Sequence, residues 1–264
     1  MVDKYLFSRL TWPEVKEIVQ LNRVAILPIG SIEPHGRHLP LDTDVFLVNS
    51  VCIEAAKRAT KDMVVLPPIS YGYVPHVMDF PGSINNNNLI EIITDIAISL
   101  ADHGFQKILL VNGHGSNRPF LDIAARNVNL ERDVLCAVVT YWNLASKVAN
   151  EIRESPIGGM AHAGEFETSL YLYLAEECVD MNKAICEFSE DHLEFEARDL
   201  VAPEWGPLQV FHWSSRRTKN MVIGDATVAT REKGKILFDE CVENFIRVVR
   251  HFKDKPILPR VDHH

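Results

Sequence analysis

The segment Ile26 to Asp44, ILPIGSIEPHGRHLPLDTD, carries Glu33, His35 and Asp44 out of an apolar run into one polar stretch. Carboxylate oxygens and imidazole nitrogens are hard-to-borderline ligands. A set without thiolate suits Zn²⁺, Mn²⁺ or Fe²⁺ held for chemistry rather than a structural cysteine-type zinc site. In extended backbone the side chains of residues i and i+2 share a side, so Glu33 and His35 can reach a common point. Asp44 opens the helix-like run VFLVNSVCIEAAKRA, where an anionic side chain is favoured and can face a cation.

Two further clusters carry the same residue types. In VNGHGSN, Val111 to Asn117, His114 stands where a strand gives way to a helix. Gly113 and Gly115 permit unusual backbone angles and close approach there. Two readings of His114 stand at this point: a side chain aimed at a metal or substrate, or a cap on a tight turn. In HAGEFETSL, His162 to Leu170, His162, Glu165 and Glu167 crowd together before an apolar helix. At most one of the two glutamates is expected as a direct ligand, with the other supporting it; alternatively both simply favour a helix start. Together the clusters offer carboxylates and imidazoles from three separate loops, a set suited to two metals bridged by Asp44. Two-metal hydrolytic sites hold their ions about 3.5 to 4 Å apart and bring the pKa of a bound water from roughly 15.7 towards about 7.

The elements that must position these residues follow a regular alternation. Thr11-Trp12-Pro13-Glu14 reads as a capping box with an early proline, opening a helix that ends near Leu21. Val24 to Ile29 reads as a buried strand, Asp44 to Ala59 as helix, Met63 to Pro67 as strand, Asn88 to His103 as helix. Lys107 to Asn112 is strand-like, Asn117 to Leu130 helical, Val134 to Tyr141 strand-like, and Thr230 to Phe252 a terminal helix. Wholly apolar strands separated by such helices imply βαβ units and a mostly parallel sheet covered on both faces, an α/β fold in three α/β/α layers. Ligands in such sheets gather at the carboxyl ends of the strands. The acidic and then aromatic stretch Glu187 to Asn220 breaks the rhythm and reads as an irregular excursion that shapes a pocket or makes oligomer contacts. Asn85 to Asn88 reads as a loop leading into a helix, and the terminal His263 and His264 as exposed tail.

With 264 residues and 47% hydrophobic content, the chain can bury one large core, and a single domain over 1–264 is expected. Lys and Arg number 27 against 36 Asp and Glu, a formal charge of −9, which argues against a nucleic-acid partner. Nothing approaches a signal-peptide core or a membrane span, so a cytoplasmic protein is expected. Cys52, Cys136, Cys178, Cys186 and Cys241 form no CxxC pair; Cys52, Cys136 and Cys241 lie in apolar periodic segments and read as buried hydrophobes.

Taken in order, IGSIEPHGRHLPLDTD, FPGSI, NGHGSN, HAGEFETSL and GDATVATREKG resemble the creatininase (creatinine amidohydrolase) family, and the match spans nearly the whole chain. The resemblance implies a Rossmann-like fold, a binuclear centre of two divalent metal ions (zinc, with manganese or iron) and a homo-oligomer, often a hexamer. Carried over by motif position, Glu33, Asp44 and His114 would hold one metal, and His35, Asp44 and Glu167 the other. His162 resembles the family's proton-transfer histidine, with Glu165 orienting it or the water. Trp142 resembles an aromatic that covers a small-molecule substrate, although ordinary core packing accounts equally well for it; Ser116 is an expected substrate contact, and His38 is placed either to support the metal ligands or to contact the substrate. Two departures argue against creatinine itself. Where creatininase has a tyrosine and a metal-binding glutamate after the motif histidine, this chain has Gly115 and Ser116, and SPIGGMA lacks the tryptophan and acid found before His162.

The family's other branches deformylate a pyrimidine nucleotide, trim a redox peptide in mycofactocin maturation, or hydrolyse an oxidised inositol ring. The resemblance therefore implies a metal-dependent hydrolase, acting on a C–N bond of a small cyclic amide or formamide. Hydrolysis of a C–C bond in a cyclic diketone is the alternative, and a metal-bound scaffold without turnover is a second.

Overall fold

The computed structural model describes residues 4–77, 80–190, 193–201, 208, 210–262 and 264. The helices are α1 (Trp12–Gln20), α2 (Thr43–Arg58), α3 (Asn86–Asp102), α4 (Arg118–Glu131), α5 (Ser146–Ile152), α6 (Glu165–Ala175), α7 (Ser214–Arg217) and α8 (Arg231–Asp254). The strands are β1 (Val24–Ile29), β2 (Met63–Val65), β3 (Lys107–Asn112), β4 (Leu135–Thr140), β5 (Cys186–Glu187) and β6 (Gly224–Asp225). The first four form one parallel sheet in the order β2-β1-β3-β4. The last two make a small antiparallel pair that brings the start and finish of the irregular excursion together.

Every residue of β1 and β3 is buried, because each face of the sheet is covered. One face packs Ile26, Val65, Leu109 and Val111 against α2, α6 and α8 through Val48, Phe166, Leu237 and Phe245. The other packs Leu27, Ile29, Ile108 and Leu110 against α1, α3 and α4 through Ile18, Ile93 and Leu121. This is the expected three-layer α/β/α arrangement, and the continuous apolar strands are its physical cause. β4 is an edge strand and is only partly buried.

The helix after β1 lies on one face of the sheet and the helix after β3 on the other, although the two strands are neighbours. The chain thus splits between these strands, and the crevice beyond their carboxyl ends is where an open parallel sheet binds its ligand. The loops bearing Glu33, His35 and His114 leave from those two strand ends.

Several boundaries differ from the sequence reading for identifiable reasons. α3 begins at Asn86 rather than Asn88, because the Asn85 side chain accepts a hydrogen bond from the Asn87 backbone N–H and caps the helix inside the asparagine run. β2 stops at Val65, since Pro67 and Pro68 follow and proline supplies no ladder donor. Cys52, Cys136 and Cys241 are buried and free as expected, and burial pushes their thiols up, away from the reactive range. His263 of the tail lies outside the described residues. Among the described residues no helix is long and apolar enough to cross a membrane.

Candidate metal centre and active site

Glu33, His35, Asp44, His114 and Glu167 are drawn together from three separate stretches of chain, and all are buried. His114 Nδ1 lies 2.9 Å from Asp44 Oδ2 and 3.1 Å from Glu33 Oε2. His35 Nε2 lies 3.2 Å from Asp44 Oδ1 and 3.8 Å from Glu167 Oε2. Asp44, in the first turn of α2, therefore presents one oxygen to each imidazole. Glu167 occupies the first turn of α6, where the helix dipole favours an anion.

The other nitrogen of each ring is occupied by the backbone. His114 Nε2 is 3.2 Å from the Tyr73 carbonyl oxygen, His35 Nδ1 is 3.1 Å from that of Glu33, and His162 Nε2 is 2.9 Å from that of Pro34. A carbonyl oxygen only accepts, so those nitrogens carry the protons and donate. The lone pairs of His114 Nδ1, His35 Nε2 and His162 Nδ1 are then turned towards carboxylates, which is the arrangement of metal-ligating histidines held by outer partners. Glu33 Oε2, Asp44 Oδ2 and His35 Nε2 have no hydrogen-bond partner. Buried polar atoms left in this condition are costly unless something else satisfies them, and a cation does so. The donor chemistry fits divalent ions: ligand atoms of His35, Asp44 and Glu167 lie within 4.8 Å of one another, as do those of Glu33, His35 and His162, and those of Glu33, His76 and His114.

Until a cation displaces them, protons on the His35 and His114 rings balance the surrounding carboxylates. Burial works against the charge on Glu33, yet the imidazoles of His114 and His162 hold its carboxyl well below the usual range. Burial likewise disfavours protonated His35, but Asp44, Glu167 and Glu33 outweigh it and raise the ring to about 10. Glu167 goes the other way: burial, together with Asp44 and Glu33, carries it to about 7 despite His35. The protein's own groups leave Glu167 short of positive charge, which is the deficit a bound cation removes.

Precise backbone geometry supports these side chains. Gly113 is required because a Cβ there would lie 2.8 Å from the Asp44 carbonyl and the Val48 side chain, so β3 and α2 could not approach. Gly115 has no such need, since nothing lies within 4 Å of the corresponding Cβ. Asn117, which sequence reading passed over, donates to the Gly30 carbonyl and accepts from the Tyr73 N–H, thereby fixing the Tyr73 carbonyl that orients His114. Ala163 is held at φ +54° and directs its N–H to Glu167 Oε2 at 2.7 Å. A non-glycine residue in that region is uncommon and is held here by its surroundings.

The remaining expected residues fall into different places. His162 stands at the cavity with Nδ1 4.0 Å from Glu33 Oε2. Ser116 and Trp142 line the same cavity, Trp142 while also packing in the core against Tyr141. His38 is buried behind it, 2.9 Å from Thr168 Oγ1, and is not among the cavity-lining residues. Glu165 is turned elsewhere. Its carboxylate accepts from the Glu154 and Ser155 backbone N–H groups and the Ser155 hydroxyl, and pairs with Lys233 of α8 at 2.6 Å. Both its oxygens are used in fixing the loop before His162 to α6 and α8, which leaves it no route to a water or to the His162 ring. His76 was not singled out from the sequence, yet its Nε2 lies 3.2 Å from Glu33 Oε1. An isolated histidine in YVPHVM carries no spacing signal that would have marked it.

The cavity over the cluster measures about 520 Å³, within the range of small-molecule sites. Its floor is Glu33, Asp44, His114 and Glu167, and its outer wall comes from the excursion, including Arg198, Phe211, His212 and Arg217. The excursion therefore shapes the pocket of its own chain.

Similarity to known proteins follows the same lines. The chain is 30% identical over 269 residues to the creatinine amidohydrolase of Pseudomonas putida, covering 95% of this chain and 98% of that protein. It is 26% identical over 269 residues to the 3-dehydro-scyllo-inosose hydrolase of Thermotoga maritima, covering 94% and 84% respectively. A solved manganese form of creatininase superposes with a TM-score of 0.81 at 27% identity, covering 95% of this chain and 99% of that one. With the creatininase (creatinine amidohydrolase) family model matched over residues 8–249, on a fold and residue cluster of this kind, the chain belongs to the creatininase family and is a hydrolase.

Proposed function

We propose that this protein is a binuclear-metal-dependent hydrolase that opens a C–N bond in a small cyclic amide or formamide. The observation that carries the proposal is the orientation of the three imidazoles: each gives one nitrogen to a backbone carbonyl and turns the other into a nest of carboxylates. Glu33, Asp44 and His114 would hold one ion, and His35, Asp44 and Glu167 the other, with Asp44 shared. Zinc is the first expectation, with manganese or iron also compatible with this donor set. When bound, such a pair supplies Lewis acidity, polarising a carbonyl oxygen and making a water acidic enough to react near neutral pH.

The chain's own residues supply the rest. Burial and the neighbouring His35 hold His162 down at about 4, despite Glu33 and Asp44, so its ring is neutral at pH 7. Its Nε2–H is committed to Pro34, leaving Nδ1 to accept a proton at the cavity and pass it to the leaving nitrogen. Glu33 at 4.0 Å stabilises the imidazolium so formed. Trp142 and Phe211 wall the cavity with apolar surface and limit water, while Ser116 offers a hydroxyl beside His114.

Replacing Asp44 with Ala and measuring metal content tests the centre: loss of both ions is expected, and retention of both at full occupancy rules out the shared role. The substrate class is tested by offering metal-replete protein lactams, formamides and oxidised cyclitols. A ring-opened amino acid or formate supports C–N cleavage. Turnover of the cyclitols alone would favour C–C hydrolysis instead, a second reading motivated by the similarity to the inosose hydrolase. We also propose a homo-oligomer, because the excursion exposes Phe195 at 59% and Trp213 at 43%; sedimentation showing only monomer would reject it.

A further inference from the structure

His76 lies outside the five residues assigned above, yet one of its ring nitrogens stands within 4.8 Å of ligand atoms of Glu33 and His114. We propose that His76 is an additional metal ligand, joining Glu33, Asp44 and His114 around the same cation. The inference rests on the metal-centre reading above and deepens it.

The geometry is direct. Glu33 is flanked on one oxygen by His114 Nδ1 at 3.1 Å and on the other by His76 Nε2 at 3.2 Å. The two rings lie nearly parallel, 9° apart with centroids separated by 6.1 Å, so they face each other across the Glu33 carboxylate. Ligand atoms of Glu33, His76 and His114 lie within 4.8 Å of one another, a spread that a small inward movement converts to coordination. Two positions along the strand-end turn from His114, Ser116 offers only a hydroxyl, and no carboxylate lies there. His76 is also held from behind: its carbonyl accepts from the Ser214 N–H at 3.0 Å, and Phe211 meets its ring edge-on at 5.5 Å. The excursion thus fixes a ligand of the ion as well as walling the cavity.

A second imidazole in this position has a chemical consequence. Nitrogen donors favour zinc and iron over manganese, whereas carboxylate and water donors suit manganese. The ion next to His76 is therefore expected to be the more selective of the two against manganese.

Cobalt(II) loading of the full-length protein and its His76→Gln variant provides the test, read by proton NMR and by binding isotherms. Coordinated imidazoles give strongly shifted exchangeable N–H resonances, and the wild type should show one that disappears in H76Q. One of two cobalt sites should weaken at least about tenfold while the other keeps its affinity. A His76→Glu variant should restore binding and move that site's preference towards manganese. The same number of shifted imidazole resonances in wild type and H76Q would overturn the inference even if affinity fell, since it would make His76 a donor to Glu33 and no ligand. A wild type that takes up no cobalt would overturn the metal centre itself, an outcome distinct from the first.

Discussion

His162 combines three properties that a proton carrier needs: a neutral ring, one nitrogen tied to Pro34, and an acidic neighbour in Glu33. Its pKa lies below 6.5, chiefly because burial disfavours the imidazolium, and the neighbouring His35 acts in the same direction. A base with a lowered pKa is competent above that pKa and is lost as pH falls through it. The acid limb of kcat/KM is therefore expected well below pH 6.5, with its midpoint nearer 4 than 6.5. A limb centred at or above 6.5 would assign the proton transfer to another group. Replacing His162 with Ala should lower kcat by roughly 10²- to 10⁴-fold while both ions remain bound. Equal loss of metal would instead make it a ligand.

At the scale of elements, the site depends on how closely α6 and α8 cross. Gly234 of α8 packs directly on the backbone of α6, where an added Cβ would come within 1.8 Å of the Ser169 carbonyl oxygen. Helix propensity alone predicts that Gly234→Ala stabilises by about 1 kcal/mol. The collision is with backbone and can be relieved only by separating the helices, an overpacking cost of about 1 to 3 kcal/mol or more. The second effect wins, so the variant should melt at lower temperature than the wild type. Because Ser169 is two residues from Glu167, occupancy of the ion proposed for His35, Asp44 and Glu167 should fall as well. A raised melting temperature with full metal content would show that the crossing can relax.

At the scale of the whole molecule, the excursion is tied down at both ends. The Glu187 carboxylate accepts from the Thr218 hydroxyl, the Lys219 and Asn220 backbone N–H groups and the Asn220 side chain. Deeper in, buried Asp199 pairs with Arg153 at 2.6 Å and accepts from the Gly158 N–H, linking the cavity wall to the loop before His162. Glu187→Ala removes the outer tie without touching the metal ligands. It is expected to raise KM by roughly five- to tenfold, with a smaller fall in kcat because Ser214 and Phe211 of the excursion also steady His76, and to speed proteolytic cleavage between residues 187 and 220. An equal fall in kcat would mean that the excursion positions the reacting groups themselves.

The sequence by itself determined the layered α/β architecture, because strands such as VAILPI and KILLVN are apolar at every position and only a sheet covered on both faces can bury them. It also singled out Glu33, His35 and Asp44, polar residues placed just after a buried strand and at a helix start, while His114 and the choice between Glu165 and Glu167 stayed open until the resemblance to the family selected His114 and Glu167. The roles of Glu165 and His76 had no local signature. Glu165 sits two residues from Glu167 in the same motif, and only the position of Lys233, reached across the α6–α8 crossing, decides that its charge is consumed in the scaffold. His76 is carried to Glu33 by a loop that passes over the ends of β1 and β3, a contact across 43 residues of sequence. Local patterns encode burial and periodicity, whereas a metal or catalytic site is a coincidence of side chains in space, and that coincidence is set by how the helices and loops pack around the split in the sheet.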